Sequence, residues 1–327
     1  MLYVFTRRQG LIERRERLEG QDLPPGALWY DLYEPTAEER ALVEAALAVS
    51  LPSREEMKEI EPSSRLYVEG EAVYMTATIL NRADDPNPSA DPITFVLARQ
   101  SLVTLRHVDP RPVAAYAARL ARQPAAVAGA EDALMGLLEA FIDRFADILE
   151  RVSLDLDQTS RSIFDASPSR PGGERDLQAV LKTLARNDDL ASTTRESLLS
   201  ISRVISFLGA VIDGWPKKEA KDLRIRLKSA SRDIASLAEH AGFETSKINF
   251  LLNATLGMIN IEQNRIIKLF SVAAVVFLPP TLVASLYGMN FRHMPELDWA
   301  YGYPMAIGLM ILSAVVPYLF FKAKGWF

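Results

Sequence analysis

Three consecutive residues, Gly288, Met289 and Asn290, interrupt the most apolar part of this 327-residue chain with a neutral amide. An Asn side chain offers a carbonyl oxygen without a charge, a ligand suited to a hard, strongly hydrated divalent cation that dehydrates reluctantly. A ring of carboxylates would hold such an ion too tightly for easy release, and passage through a pore needs binding weak enough to leave. No Asp or Glu occurs between Lys268 and Asn290. Towards the N-terminus, a stripe at helical spacing reads Ser285, Thr281, Leu278, Ala274, Ser271, Phe270 and Ile267. The half nearer Asn290 is small and polar, which suits a hydrated path; the other half is bulky and apolar, which suits a constriction gated by dewetting. The alternative is that Leu278, Phe270 and Ile267 pack against neighbouring helices. Gly288 has two readings as well: a turn or close backbone approach, or a plain helix cap. Glu296 and Asp298, a few residues on, either draw cations by electrostatic attraction or are simply solvated loop carboxylates.

Two apolar runs must position these residues. Leu269 to Tyr287 and Tyr303 to Phe321 are each about nineteen residues without a charge, long enough to cross a bilayer as helices. Two such runs around one short polar link argue against buried core helices and for a membrane hairpin. Arg265 and Lys268 precede the first run and Lys322 and Lys324 follow the second, whereas the link sets Arg292 and His293 against Glu296 and Asp298. The basic residues therefore place both termini in the cytoplasm and the link outside. Tyr287, Trp299, Tyr301, Tyr303, Tyr318 and Trp326 lie near the run ends, where amphipathic rings favour the membrane interface.

Residues 1–125 read as an α/β domain. LYVFT, ALWYDLY, RLYVEGEAVYMTATIL, ITFVLA and SLVTLRHV are strand-like, and Thr36 to Ala48 and Arg111 to Arg122 are helix-like. Thr36 with Glu39 three residues on forms a capping-box pattern. Ala83 to Pro92, ADDPNPSADP, is a loop by composition. Residues 126–265 turn to a period near 3.6. Leu134, Leu138, Phe141, Phe145, Ile148 and Val152 form one stripe, ended by SPSRPGG from Ser167 to Gly173; a second helix is expected from about Glu174 to Ile212, stopping at Gly214 to Pro216. Leu223, Leu227, Ala230, Ile234, Leu237 and Ala241 then recur at four and three, the seam of a helix packed on other helices. Unbroken to Tyr287, that third helix would be on the order of 100 Å long. Residues 266–327 form the hairpin, with spans at about 268–288 and 303–321 and a link at about 289–302.

Composition excludes several classes. A hydrophobic fraction of 49% is ordinary for a mostly soluble chain, and a net charge of -5 with no basic stretch interleaved with aromatics argues against a nucleic-acid partner. The absence of cysteine removes disulfides, thiolate chemistry and Cys-based zinc sites. MLYVFTRRQG has no long apolar core behind a basic start, so a signal peptide is not expected there. There is no G-x-S-x-G, no P-loop and no H-E-x-x-H, and His107, His240 and His293 are far apart, so neither an enzyme nor an ATP-driven pump is expected. Two spans cannot enclose a pore, so a transport role requires several copies around an axis. A membrane-anchored, non-conducting scaffold is the other reading.

Gly-Met-Asn at the end of the first run, followed by MPEL from Met294 to Leu297, resembles the signature of the CorA family of divalent-cation channels. Tyr287, Phe291, Gly302-Tyr303-Pro304 and the basic-aromatic end from Lys322 to Phe327 fit that family too. The resemblance implies a funnel-shaped homo-oligomer, a pentamer, in a bacterial-type inner membrane. It implies a passive, gated path for magnesium, with cobalt and nickel as secondary ions and no organic cofactor. Gly288, Met289 and Asn290 would be the selectivity filter, and Ile267, Phe270, Ser271, Ala274, Leu278, Thr281 and Ser285 the pore lining. It also implies sensing of intracellular magnesium by carboxylates between subunits; Asp143, Asp147 and Glu150 on one helix face, Asp188 with Asp189, Asp222 and Asp233 are the candidates here. A related zinc transporter is the alternative within the family, disfavoured by the lack of Cys or clustered His.

Overall fold

The computed structural model describes the whole chain except residues 9, 18, 19, 25, 86, 125, 126, 165–175, 216–219, 291, 297, 326 and 327. The expected breaker at Ser167 to Gly173, and Pro216, Phe291, Leu297 and Trp326, therefore lie outside the described residues. The chain divides into two compact units, Met1–Leu252 and Asn253–Phe327.

Seven strands, β1 (Leu2–Arg8), β2 (Leu11–Glu16), β3 (Ala27–Tyr33), β4 (Leu66–Glu69), β5 (Ala72–Asn81), β6 (Ser89–Ala98) and β7 (Ser101–Arg106), build the N-terminal unit's sheet in the order β2-β1-β3-β7-β6-β5-β4. Among the described residues only the central β3–β7 pair is parallel, with Trp29 opposite Leu102 and Leu32 opposite Leu105. The run RLYVEGEAVYMTATIL splits at Gly70, whose φ of 61° closes the two-residue turn between β4 and β5. Composition overextends one loop: β6 already begins at Ser89, pairing with Asn81.

Alternation along the strands sends side chains to two faces. One face packs Val4, Tyr30, Leu32, Tyr74, Val96 and Leu105 against Val43 and Leu47 of α1 (Ala37–Leu47). The Thr36 side chain accepts from the Glu39 amide while the Glu39 carboxylate accepts from the Thr36 amide, so the capping box is formed as expected. The opposite face is aromatic: Phe5 stacks on Trp29 at 4.2 Å, Trp29 meets Tyr116 of α3 (Arg111–Arg122), and Phe95 meets Phe141 of α4 (Ala130–Phe164) edge to face. Each such fully buried side chain contributes about 1.5–3 kcal/mol. Between the layers, Arg106 donates from Nε and Nη2 to the two oxygens of Asp31 at 2.9 and 3.0 Å, and Thr104 donates to the same carboxylate. Full pairing is what lets these charges remain inside the fold.

β4 is short, so β5 is left with free amides beyond it. Ser200 and Ser197 of α5 (Leu177–Asp213) accept from the amides of Thr78 and Leu80 at 2.9 and 2.8 Å, closing that sheet edge with a helix. The period of 3.6 in α4 is visible in burial: Leu134, Leu138, Phe141, Phe145, Ile148 and Val152 are all buried. α6 (Lys221–Tyr287) begins in this unit alongside α4 and parallel to it, tied by Arg226 to Glu139 at 2.8 and 2.9 Å and by Lys247 to Asp157 at 2.6 Å.

The second unit contains the remainder of α6 and α7 (Gly302–Ala323), joined by residues 288–301. Among the described residues these two helices are long and apolar enough to cross a membrane.

Candidate functional site

Within the second unit, α6 has two unlike faces. Val272, Val276, Pro279, Val283 and Tyr287 recur at four and three and are half-buried; on α7, Met305, Ala306, Met310, Ser313, Ala314, Pro317 and Phe321 are half-buried. All seven residues of the expected stripe, Ile267, Phe270, Ser271, Ala274, Leu278, Thr281 and Ser285, are exposed. At about 100° per residue the stripe is centred roughly opposite the covered face. Ser271 and Thr281 donate to the carbonyls of Ile267 and Phe277 at 2.8 and 2.7 Å, so their hydroxyl oxygens keep acceptor capacity towards the open side. Pro279 and Pro280 lie inside the helix and remove donors to the carbonyls of Val275 and Val276. Where the apolar runs of α6 and α7 meet their first lysines, Ile267 and Ser271 also border a groove between the two helices, with Lys268, Val272, Val275, Phe321 and Gly325.

The helix stops at Tyr287. Gly288 donates its amide to Ala284 O at 3.0 Å, and a Cβ at this position would lie 3.1 Å from that same oxygen. Gly288 is not among the glycines with positive φ, so tightness of approach, rather than a left-handed cap, is the local reason for glycine. Met289 and Asn290 follow, both exposed, with Met289 N donating to Leu286 O. Glu296 and Asp298 are exposed in the link. Gly302 is buried at the start of α7, and its backbone lies so close to the Glu296 carbonyl that a Cβ would overlap it. Trp299 and Tyr301 pack edge to face at 6.0 Å beside it.

The candidate sensing carboxylates all lie in the first unit. Asp143 and Asp147, on α4, border a cleft with Arg111, Arg119, Arg144 and Tyr116. Both aspartates are exposed, yet partial desolvation at the cleft, then the carboxylates of Glu139, Asp147 and Asp233, hold the Asp143 carboxyl above its ordinary range against the opposing charge of Arg119. Burial and Asp189 act in the same direction on Asp188, on α5. Asp189, Asp222 and Asp233 are exposed, the last two on α6. Among the described residues, no three of these or other acidic or His side chains are grouped so as to hold a metal ion within one chain.

The sequence reading missed Glu244. The seam Leu223, Leu227, Ala230, Ile234, Leu237, Ala241 continues with the same spacing through Glu244, Ile248 and Leu251, and Glu244 is 1% exposed with its Oε2 unpartnered. Extending the heptad by one step would have found it, since a carboxylate at a seam position is the anomaly. Asp84 was also missed. It pairs with Arg111 at 2.6 Å, with Arg144 at 2.9 Å and with Arg151, joining the loop after β5 to α3 and α4. Its loop position gave no sequence signal.

An α/β unit, long helices and two candidate membrane-spanning helices that flank a short polar link define an architecture in which Gly288, Met289 and Asn290 sit at the end of an apolar helix. A model of the family described as CorA-like Mg2+ transporter protein matches residues 25–323, and the chain belongs to that family. It is 39% identical over 326 residues to the magnesium transport protein CorA of Yersinia pestis and 38% identical over 328 residues to that of Escherichia coli (strain K12), with 100% of both chains covered in each case. The complete structure of the CorA magnesium transporter from Methanocaldococcus jannaschii is similar in fold at 15% identity, with a TM-score of 0.73 over 100% of this chain and 99% of that one.

Proposed function

We propose that this protein is a passive, gated channel for divalent cations, magnesium foremost and cobalt and nickel secondarily, that works as a homopentamer in an inner membrane with both termini in the cytoplasm. In this reading residues 1–125 and 126–265 are cytosolic and residues 266–327 are the pore-forming hairpin. The observation that carries it is the Gly288-Met289-Asn290 step at the end of an α6 face that is exposed, bears hydroxyls and has no carboxylate, in a chain of this family. Two helices per chain cannot enclose water, so copies arrange these faces around an axis. Asn290 amide oxygens, one from each copy, form a neutral ring for the hydrated ion. Glu296 and Asp298 raise the cation concentration at the outer mouth. Phe270 and Leu278 close the path by dewetting. An inside-negative potential drives entry, worth about 4.6 kcal/mol for a doubly charged ion at 100 mV. Intracellular magnesium, bound between copies by carboxylates drawn from Asp143, Asp147, Asp188, Asp189, Asp222 and Asp233, favours the closed state.

The test is magnesium flux into proteoliposomes. Asn290→Ala is expected to lower flux at least tenfold while the variant assembles like the wild type by size-exclusion chromatography. Wild-type flux in an assembled Asn290→Ala protein would remove the filter assignment. Parallel assays with cobalt, nickel and zinc, with and without a pH gradient, rank the ions and separate a proton-coupled zinc transporter from a channel.

A further inference from the structure

A groove of about 380 Å3 lies between the Ile267–Val275 stretch of α6 and the C-terminal end of α7. Its lining is Ile267, Val272, Val275 and Phe321 with Ser271, Gly325 and Lys268. That volume falls within the range of ligand sites, about 300–1,000 Å3, and the lining has the composition of one: apolar walls with a single charged group. The charge is one-signed around it. Lys322 follows Phe321 and Lys324 precedes Gly325 in α7's last turn and cap, and no Asp or Glu occurs between Trp299 and Phe327. On α6 the carboxylate nearest Lys268 in sequence is Glu262, which faces Arg265 at 4.0 Å. Among the described residues Lys268 has no ion-pair partner. Lys324 rests over the Phe320 ring at 5.3 Å, and Lys268 is the lysine in the groove's lining.

We infer that this groove binds an anionic phospholipid, with one acyl chain along Val272, Val275 and Phe321 and the phosphate at Lys268, supported by Lys322 and Lys324. The inference rests on the membrane placement of α6 and α7, not on conduction. Depth decides the class of ligand. The groove sits where two apolar helices acquire their first charges, the level at which headgroup and acyl chain meet, and basic pockets between spans at that level recognise anionic headgroups. The side chains of Ile267, Val272, Val275 and Phe321 offer a peptide partner no donor or acceptor, and the Ser271 hydroxyl already donates to Ile267 O.

The chain's lack of cysteine makes the test clean. The full-length protein is purified in detergent and titrated with phosphatidylglycerol or phosphatidylcholine, and retained lipids per chain are counted by native mass spectrometry. Phosphatidylglycerol should be retained about fivefold more strongly than phosphatidylcholine, the equivalent of roughly one lysine at a membrane surface. Lys268→Gln should remove most of that preference, and Val275→Trp, which fills the groove, should lower retention of both lipids. Equal retention of the two lipids by the wild type, or an unchanged preference in Lys268→Gln, overturns the inference. Val275→Cys provides the opposing outcome: efficient disulfide cross-linking between chains in a phosphatidylglycerol bilayer would mean that a second copy fills the groove and that no lipid does. None of these readouts uses ion flux, so a loss of the channel reading would leave the lipid result standing, and the reverse.

Discussion

Gly302 has no alternative residue. It is buried at the first turn of α7, donates to Trp299 O at 2.9 Å, and leaves no room for a Cβ against the Glu296 carbonyl. Gly302→Ala therefore has to push the link away from α7, and magnesium flux is expected to fall several-fold without loss of the folded N-terminal unit, checked by flux assay beside far-UV circular dichroism. Gly308, with open space around it, is the control: Gly308→Ala should keep wild-type flux. Asp84 makes a pH prediction. Hydrogen bonding from Arg151, joined by the charges of Arg144 and Arg111, holds its carboxyl below the ordinary range in spite of partial burial. A carboxyl with a depressed folded pKa contributes stability above its unfolded value of about 3.9 and loses it as the pH falls through the folded one. Asp84→Asn should lower stability at pH 7 by about 1–2 kcal/mol, and the difference from wild type should close as the pH drops below about 4. A gap that persists in acid would assign Asp84 a role other than its charge.

At the scale of elements, period and capping were legible and edges were not. The Thr36 capping box, the α4 stripe and the α6 seam follow from spacing alone, because each depends on contacts within a few residues. β2 was not legible: LIERRE has no alternation to read, and its strand is set by backbone pairing with β1, Tyr3 opposite Glu16 and Arg7 opposite Ile12. The Ser197 and Ser200 caps on β5 likewise depend on contacts about 120 residues apart. In the candidate site, the Gly-Met-Asn step and the exposed stripe could be read from sequence, whereas the groove at Lys268 needed α7 beside α6. Glu244 makes the prediction at this scale. A carboxylate oxygen without a partner inside an apolar seam costs about 1–3 kcal/mol, and an apolar side chain of similar size would not incur it. Glu244→Met is expected to raise the unfolding midpoint by several degrees, measured by differential scanning calorimetry of the full chain. A lower midpoint would mean that the carboxylate holds something essential in the seam.

For the whole molecule, the distribution of acidic groups makes the regulatory reading testable. Among the described residues no single chain groups three acidic or His side chains for a metal ion, and in the proposed reading the sensed ion is held between copies, where closing the assembly brings like charges together. Asp143 already shows that strain within one chain: partial desolvation and three neighbouring carboxylates hold its carboxyl above the usual range. A raised folded pKa means the folded state binds the proton more tightly, so this group's contribution falls as the pH rises through the carboxylate range and is unfavourable at pH 7. A divalent cation placed there removes the repulsion that protonation would otherwise remove. Magnesium can favour the closed state only by as much as it binds that state more tightly. Two results should follow. Without magnesium, Asp143→Asn raises the unfolding midpoint at pH 7 by about 1 °C, since like-charge pairs at an exposed helix face are worth only a few tenths of a kcal/mol. With millimolar magnesium, the wild type resists limited proteolysis in residues 1–252, and Asp→Asn changes at Asp143, Asp147, Asp188, Asp189, Asp222 and Asp233 weaken that protection at the true sensing positions. Protection unaltered by all six changes moves the sensor to other residues; no protection in the wild type removes magnesium-stabilised closure from this protein.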